Sequence, residues 1–258
     1  MTFQAIVPLS GHAGWRYLTR STEVQMARLR ESPEVKRLTD HFRAHVAKAQ
    51  TAADLVSDRR LLEVALGAFG LKADLNARAF VQKVLEGGTL RPDSLANRLA
   101  DKRYAALALE FGYGDLGART GLPGFAERII ARYERQVFQE AVGERDGAMR
   151  LALNLAPALA DLAERTGNAN AQWYSVIASA PLREVFQTAF GFPASFATID
   201  LDRQLAGYKA RAAAMGAKAP TDFADPALQD RLLRLYFLRS GAQQAATSPV
   251  LALLRQGG

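Results

Sequence analysis

The chain has 258 residues, 49% of them apolar and 23% charged, which excludes a disordered chain and allows one large core or two small ones. Net charge is +7, from 33 basic and 26 acidic residues, and the acids are interspersed with the bases as on solvated helix faces. That distribution disfavours a nucleic-acid binder, which needs a clustered basic footprint, and the lack of cysteine excludes disulfides, thiolate metal sites and a cysteine nucleophile.

Residues 1–57 read as an N-terminal segment followed by a helical hairpin. Residues 1–13 are apolar but irregular, with Pro8 and Gly11. They lack a basic n-region and a long apolar stretch, so a cleaved secretory signal is not expected. No run approaches the roughly 18 apolar residues of a membrane span. The expectation is a soluble, cytoplasmic protein. Helix signals run from about Gly14 to Arg30. Ser32-Pro33 restarts a helix with Val35, Leu38, Phe42 and Val46 on one face. Thr51-Ala52-Ala53-Asp54 has the form of a capping box with Asp in place of Glu.

Residues 58–120 read as a first helical repeat. Arg60–Leu71 predicts a helix with Leu61, Val64, Ala65, Ala68 and Phe69 inward and Gly70 closing it. Asp74 is placed to cap a second helix bearing Phe80, Val81, Val84 and Leu85, ended by Gly87-Gly88. Asp101 is placed to cap a third, with Tyr104, Leu107, Ala108 and Phe111, ended by Gly112. Residues 121–178 are middle helices. One carries Phe125, Ile129, Tyr133 and Phe138; the next is interrupted by Pro157, which predicts a kink or a division. The last carries Trp173, Tyr174 and Ile177.

Residues 179–241 read as a second repeat. Leu182, Val185, Phe186, Ala189 and Phe190 stand at i, i+3, i+4, i+7 and i+8, Pro181 suits the first turn, and Gly191 suits the closing position. Subtracting 121 places Leu182, Val185, Phe186, Ala189, Phe190 and Gly191 on Leu61, Val64, Ala65, Ala68, Phe69 and Gly70. Asp200 leads a helix with Leu201, Leu205 and Tyr208. Asp225-Pro226 leads one with Leu228, Leu232, Leu235 and Tyr236, expected to end near Gly241. Leu99-Ala100-Asp101 matches Phe223-Ala224-Asp225 at an offset of 124. The expectation is an all-α protein with an internal duplication of a three-helix unit and a C-terminal tail at 242–258, briefly apolar at Val250–Leu254.

Candidate chemistry is sparse. Gly112-Tyr113-Gly114-Asp115-Leu116-Gly117 spells G-x-G-x-x-G, but a dinucleotide fingerprint follows a strand and opens a helix, and here a helix precedes it. His41 and His45 stand at i, i+4, a spacing that can present two nitrogens to one metal, with no third ligand beside them. The pairs Asp200/Asp202 and Asp222/Asp225 lie just ahead of helices, where carboxylates cap free amides. No catalytic residue, cofactor or metal is assigned. Trp173 reads as core. Trp15, Arg16, Tyr17 and Arg20 read as partner-binding residues: Trp15 as an anchor, the arginines as complementary charge.

The stretches Gly14–Leu18, Asp58–Leu71 and Pro181–Phe186, with the Phe190-Gly191-Phe192-Pro193 ending, resemble a family of uncharacterised α-proteobacterial proteins that carry a domain of unknown function and are often encoded among flagellar genes. The resemblance covers residues 10–241. It implies a bacterial host and an association with the flagellum, and brings no catalytic residues. The sequence thus reads as a non-enzymatic helical protein that binds a protein partner or a second copy of itself. A helical enzyme or small-molecule binder with a site assembled from distant residues is the alternative, and a nucleic-acid binder the second.

Overall fold

The computed structural model describes residues 3–165 and 167–246; the apolar stretch Val250–Leu254 lies outside them. Among the described residues the regular structure is α-helix and short 3-10 turns, with no strand. The chain is all-α and divides into two compact units, one of residues 3–5 and 22–141, the other of residues 6–21 and 142–246. The first helix, α1 (Gly11–Glu31), contributes its first half to the second unit and its second half to the first.

In the first unit, α2 (Pro33–His45) passes into a 3-10 turn at Val46–Lys48, and Val35, Leu38, Phe42 and Val46 are buried as their spacing predicts. Then come α3 (Ala52–Ser57) and α4 (Arg59–Ala68). The capping box at Thr51 forms: Thr51 Oγ1 accepts from the Asp54 amide (3.1 Å), and the Thr51 amide donates to Asp54 Oδ2 (2.9 Å). Asp58 caps α4 through the Arg60 and Leu61 amides. Next are α5 (Arg78–Gly87), α6 (Leu95–Arg98) and α7 (Arg103–Phe111), which share a cluster around Val84, Ala96 and Ala108. Gly112, left-handed at φ 74°, closes α7. The second helix of this stretch is not capped by Asp74. The chain makes a 3-10 turn at Lys72–Asp74, α5 starts only at Arg78, and the Asp74 carboxylate instead accepts from the Tyr104 hydroxyl at 2.6 Å. That contact and burial raise the Tyr104 pKa to about 12, burial contributing more. α8 (Phe125–Gly143) buries Phe125, Ile129, Tyr133 and Phe138.

In the second unit, α9 (Gly147–Arg165) runs through Pro157 without dividing. Pro157 is on the exposed face, where the carbonyl it leaves unbonded can meet water. α10 (Ala169–Ala178) is capped by Asn168, and α11 (Ala180–Phe190) follows at once. A 3-10 turn at Ala194–Thr198 leads to α12 (Leu201–Ala214), and another at Pro220–Ala224 leads to α13 (Pro226–Ala246). The core is aromatic. Rings of Trp173, Phe186, Phe190, Tyr208 and Phe223 lie 5.3 to 6.3 Å apart, several edge to face. Such pairs contribute about 0.5–1.5 kcal/mol each beyond their buried area. Two faces differ from the sequence expectation. α12 buries Gln204, Tyr208 and Ala212 and leaves Leu201 49% exposed. α13 buries Leu232, Leu233, Tyr236 and Phe237 and continues past Gly241, which does not take the left-handed conformation that would stop it.

Candidate functional site

A concave surface built of chemically diverse side chains lies in the second unit, between the first half of α1 and the start of α13. Its foundation is Gly14. A Cβ there would stand 1.8 Å from Leu9 O and 2.5 Å from Met149 Cε, so only glycine lets α1 lie this close. Leu18, one turn on, is fully buried. These two contacts fix the rotation of α1 and hence the direction of Trp15, Arg16, Thr19 and Arg20, which fall at i, i+1, i+4 and i+5 on adjoining stripes of the helix. Across from them α13 presents Pro226, Gln229, Asp230 and Leu233, at i, i+3, i+4 and i+7 on one face. Together these eight residues line an open groove of about 230 Å³.

Trp15 is half-buried, its ring 5.8 Å from that of Phe237. It forms the apolar floor with Leu233 and Pro226. The Thr19 hydroxyl donates to the Trp15 carbonyl (2.8 Å) and is committed to its own helix. The side chains of Arg16 and Arg20 are exposed, and neither makes a hydrogen bond or an ion pair with another described residue. Asp230 is already engaged: Arg234 donates to it at 3.1 Å, and His12 Nε2 lies 3.4 Å away without hydrogen-bond alignment. The groove therefore carries two guanidinium groups with no partner among the described residues, beside an apolar floor.

The structure thus brings together three of the four residues expected to meet a partner, Trp15, Arg16 and Arg20. Tyr17 is 41% exposed and does not line the groove. Pro226, Gln229, Asp230 and Leu233 were not foreseen. Nearer the N-terminus, Phe3 packs on Phe138 (6.2 Å between rings) and Ala5 is buried, while Ile6 and Leu9 remain exposed.

The other sequence candidates are occupied by structural tasks. His41 Nε2 is 2.7 Å from Asp58 Oδ2, His45 Nδ1 is 2.9 Å from the His41 carbonyl, and the two rings stack at 4.2 Å. Among the described residues no group of three or more His, Cys, Asp or Glu side chains is arranged to hold a metal ion. The glycine-rich stretch is a staple between loops. Gly114 meets the backbone of Glu86 and Gly88, where a Cβ would stand 2.3 Å from both. Asp115 accepts from the Thr89 amide (2.6 Å), the Thr89 hydroxyl (2.9 Å) and the Leu90 amide (3.0 Å). Burial draws the Asp115 pKa upward, but these three donors prevail and hold it below the ordinary carboxylate value. The carboxylates of Asp200 and Asp225 cap α12 and α13, Asp222 accepts from the Lys218 and Ala219 amides, and Asp202 accepts from the Tyr174 hydroxyl. Trp173 is wholly buried and donates to the Lys218 carbonyl (3.3 Å).

The family described as protein of unknown function (DUF1217) matches residues 68–228. The chain is similar to a protein from Agrobacterium tumefaciens known from an X-ray crystal structure. The two are 25% identical with a TM-score of 0.70, over 93% of this chain and 99% of that one. No curated protein matches.

Proposed function

The chain belongs to the DUF1217 family of unknown function, and from that premise we propose that it is a non-enzymatic helical protein that binds another protein in bacterial flagellar assembly or function. The groove between α1 and α13 carries this reading. A half-buried Trp beside two Arg side chains that have no partner among the described residues is the composition of an interface anchor, since Trp and Arg dominate binding hot spots. Trp15, Arg16 and Arg20 form the docking face, with Tyr17 at its flank. The flagellar assignment rests on the family resemblance of Gly14–Leu18, Asp58–Leu71 and Pro181–Phe186.

The test is a pull-down from the native bacterium with the full chain, comparing wild type with Trp15→Ala and with Arg16→Glu/Arg20→Glu. Loss of an anchor typically costs about 2 kcal/mol or more, near a thirtyfold loss of affinity. The expected result is that flagellar proteins are recovered with wild type and lost with both variants while both remain folded at the temperature of the assay. Equal recovery with all three chains would overturn the groove. Recovery of partners unrelated to the flagellum would overturn the flagellar assignment.

A further inference from the structure

We propose that the groove takes an acidic segment of its partner, one apolar side chain of that segment resting on Trp15 and Leu233 while flanking carboxylates meet Arg16 and Arg20. The inference deepens the docking reading above and rests on it. Three observations point to this occupant. The first is charge. Among the described residues the Arg16 and Arg20 side chains have no partner, whereas the one carboxylate lining the groove, Asp230, is held by Arg234 and faced by His12. A guanidinium fork left open is matched by a carboxylate in bidentate form. The second is spacing. Arg16 and Arg20 are four residues apart on α1, so their stems leave the helix about 6 Å apart. Alternate residues of an extended segment, or residues four apart in a helix, repeat at about the same distance. The third is size. A cavity of about 150 Å³ takes benzene, so the 230 Å³ here has room for one leucine or phenylalanine side chain.

The tryptophans supply a selective probe. Trp173 is wholly buried and shielded from a soluble quencher, so acrylamide quenching of the full chain reports Trp15. The ligand is a short synthetic peptide with one leucine flanked on each side by glutamates. The expected result is saturable protection of Trp15, at least tenfold weaker with glutamines in place of the glutamates and equally weakened in Arg16→Glu/Arg20→Glu. Because a charge swap could act by disturbing α1, the same variant is titrated with a lysine-flanked peptide, which is expected to restore protection. Equal protection by the glutamine peptide, the same protection by inorganic phosphate, or none at millimolar glutamate peptide would each overturn the proposal. If the pull-down still depends on Trp15 when the peptide fails, the docking groove stands and only its acidic occupant falls. If the pull-down is indifferent to Trp15, the reading beneath it falls.

Discussion

Helices α4 and α11 close their last turns with the same hydrogen bonds at positions 121 apart. The Gly70 amide donates to Gly67 O (3.0 Å) and the Leu71 amide to Leu66 O (2.9 Å); the Gly191 amide donates to Thr188 O (3.0 Å) and the Phe192 amide to Gln187 O (3.0 Å). Both glycines are left-handed, at φ 68° and 73°. In each helix a guanidinium from a later helix caps the carbonyl two residues before the glycine: Arg132 Nε on Ala68 O at 2.9 Å, and Arg239 on Ala189 O. The surroundings differ. α4 lies on α2 and α3, and the Phe69 ring is covered by the Arg132 guanidinium at 4.1 Å. α11 lies on α9, α10 and most broadly on α13, and Phe190 is enclosed by five aromatic rings. The local closure is written in a few adjacent residues and recurs, together with its guanidinium cap; the apolar packing around it is supplied by distant helices and does not. A duplicated unit covering 58–120 and 179–241 is therefore a proposal that rests on the closure, and substitutions at paired positions sharpen it.

The largest effect falls on the paired phenylalanines. Both are buried, and truncating a buried Phe typically costs about 3–5 kcal/mol. Phe190→Ala is expected at the upper end because it removes five ring contacts, and Phe69→Ala at the lower end because an Arg stem can move into the space. Denaturant melts of the two variants measure the difference. Equal losses would mean that the two environments are energetically the same despite their composition.

Next come the glycines. At position 67 a Cβ would stand 2.7 Å from two ring atoms of Tyr133, whereas the paired position is Thr188. Alanine would gain up to about 1 kcal/mol in helix propensity, but the clash with a buried ring, typically about 1–3 kcal/mol, wins. Gly67→Ala is expected to destabilise by 1–2 kcal/mol on that estimate. A stabilised protein would show that the Tyr133 ring swings aside freely. Gly70→Ala and Gly191→Ala place an L side chain in the left-handed region, at about 1–2 kcal/mol each. Matching losses at the two sites would sharpen the shared closure, and a loss at only one would break it.

Much of this fold was legible because its signals are local: heptad-like spacing, a capping Asp and a closing Gly all lie within one or two turns. The misreadings mark where a distant partner decides. Gln204 displaces Leu201 from the buried face of α12 because its side-chain amide satisfies the carbonyls of Ala197 (3.3 Å) and Ile199 (2.8 Å), a service that apolarity does not rank. Asp74 left its expected cap for the Tyr104 hydroxyl thirty residues on. The groove was half visible. Trp15, Arg16 and Arg20 stood out as large side chains near an irregular terminus. Pro226, Gln229, Asp230 and Leu233 carry the same spacing as any amphipathic helix, and nothing in the sequence says that they meet α1.

The smallest effect concerns how the paired helices begin. Asp58 Oδ1 accepts from the Arg60 amide (2.9 Å) and the Leu61 amide (3.2 Å), and its other oxygen meets His41. Ser179 occupies the corresponding place before α11 and makes no side-chain cap; its role is taken by Pro181 at the first turn and by packing on α10. Asp58→Ala is expected to cost about 1 kcal/mol, up to 2 with loss of the His41 contact, and Ser179→Ala a few tenths at most. The pH dependence has a definite sign. Burial draws the Asp58 carboxyl upward, but the bonds from His41, Leu61 and Arg60 prevail and hold it below the ordinary value. A group depressed in the folded state contributes its stability above the unfolded pKa, near 4, and loses it as pH falls through the folded value. The difference between wild type and Asp58→Ala is thus expected to shrink as the pH falls below about 4. A difference that grows as the pH falls below about 4 would show that the uncharged form makes the cap, and the asymmetry between α4 and α11 would need another cause.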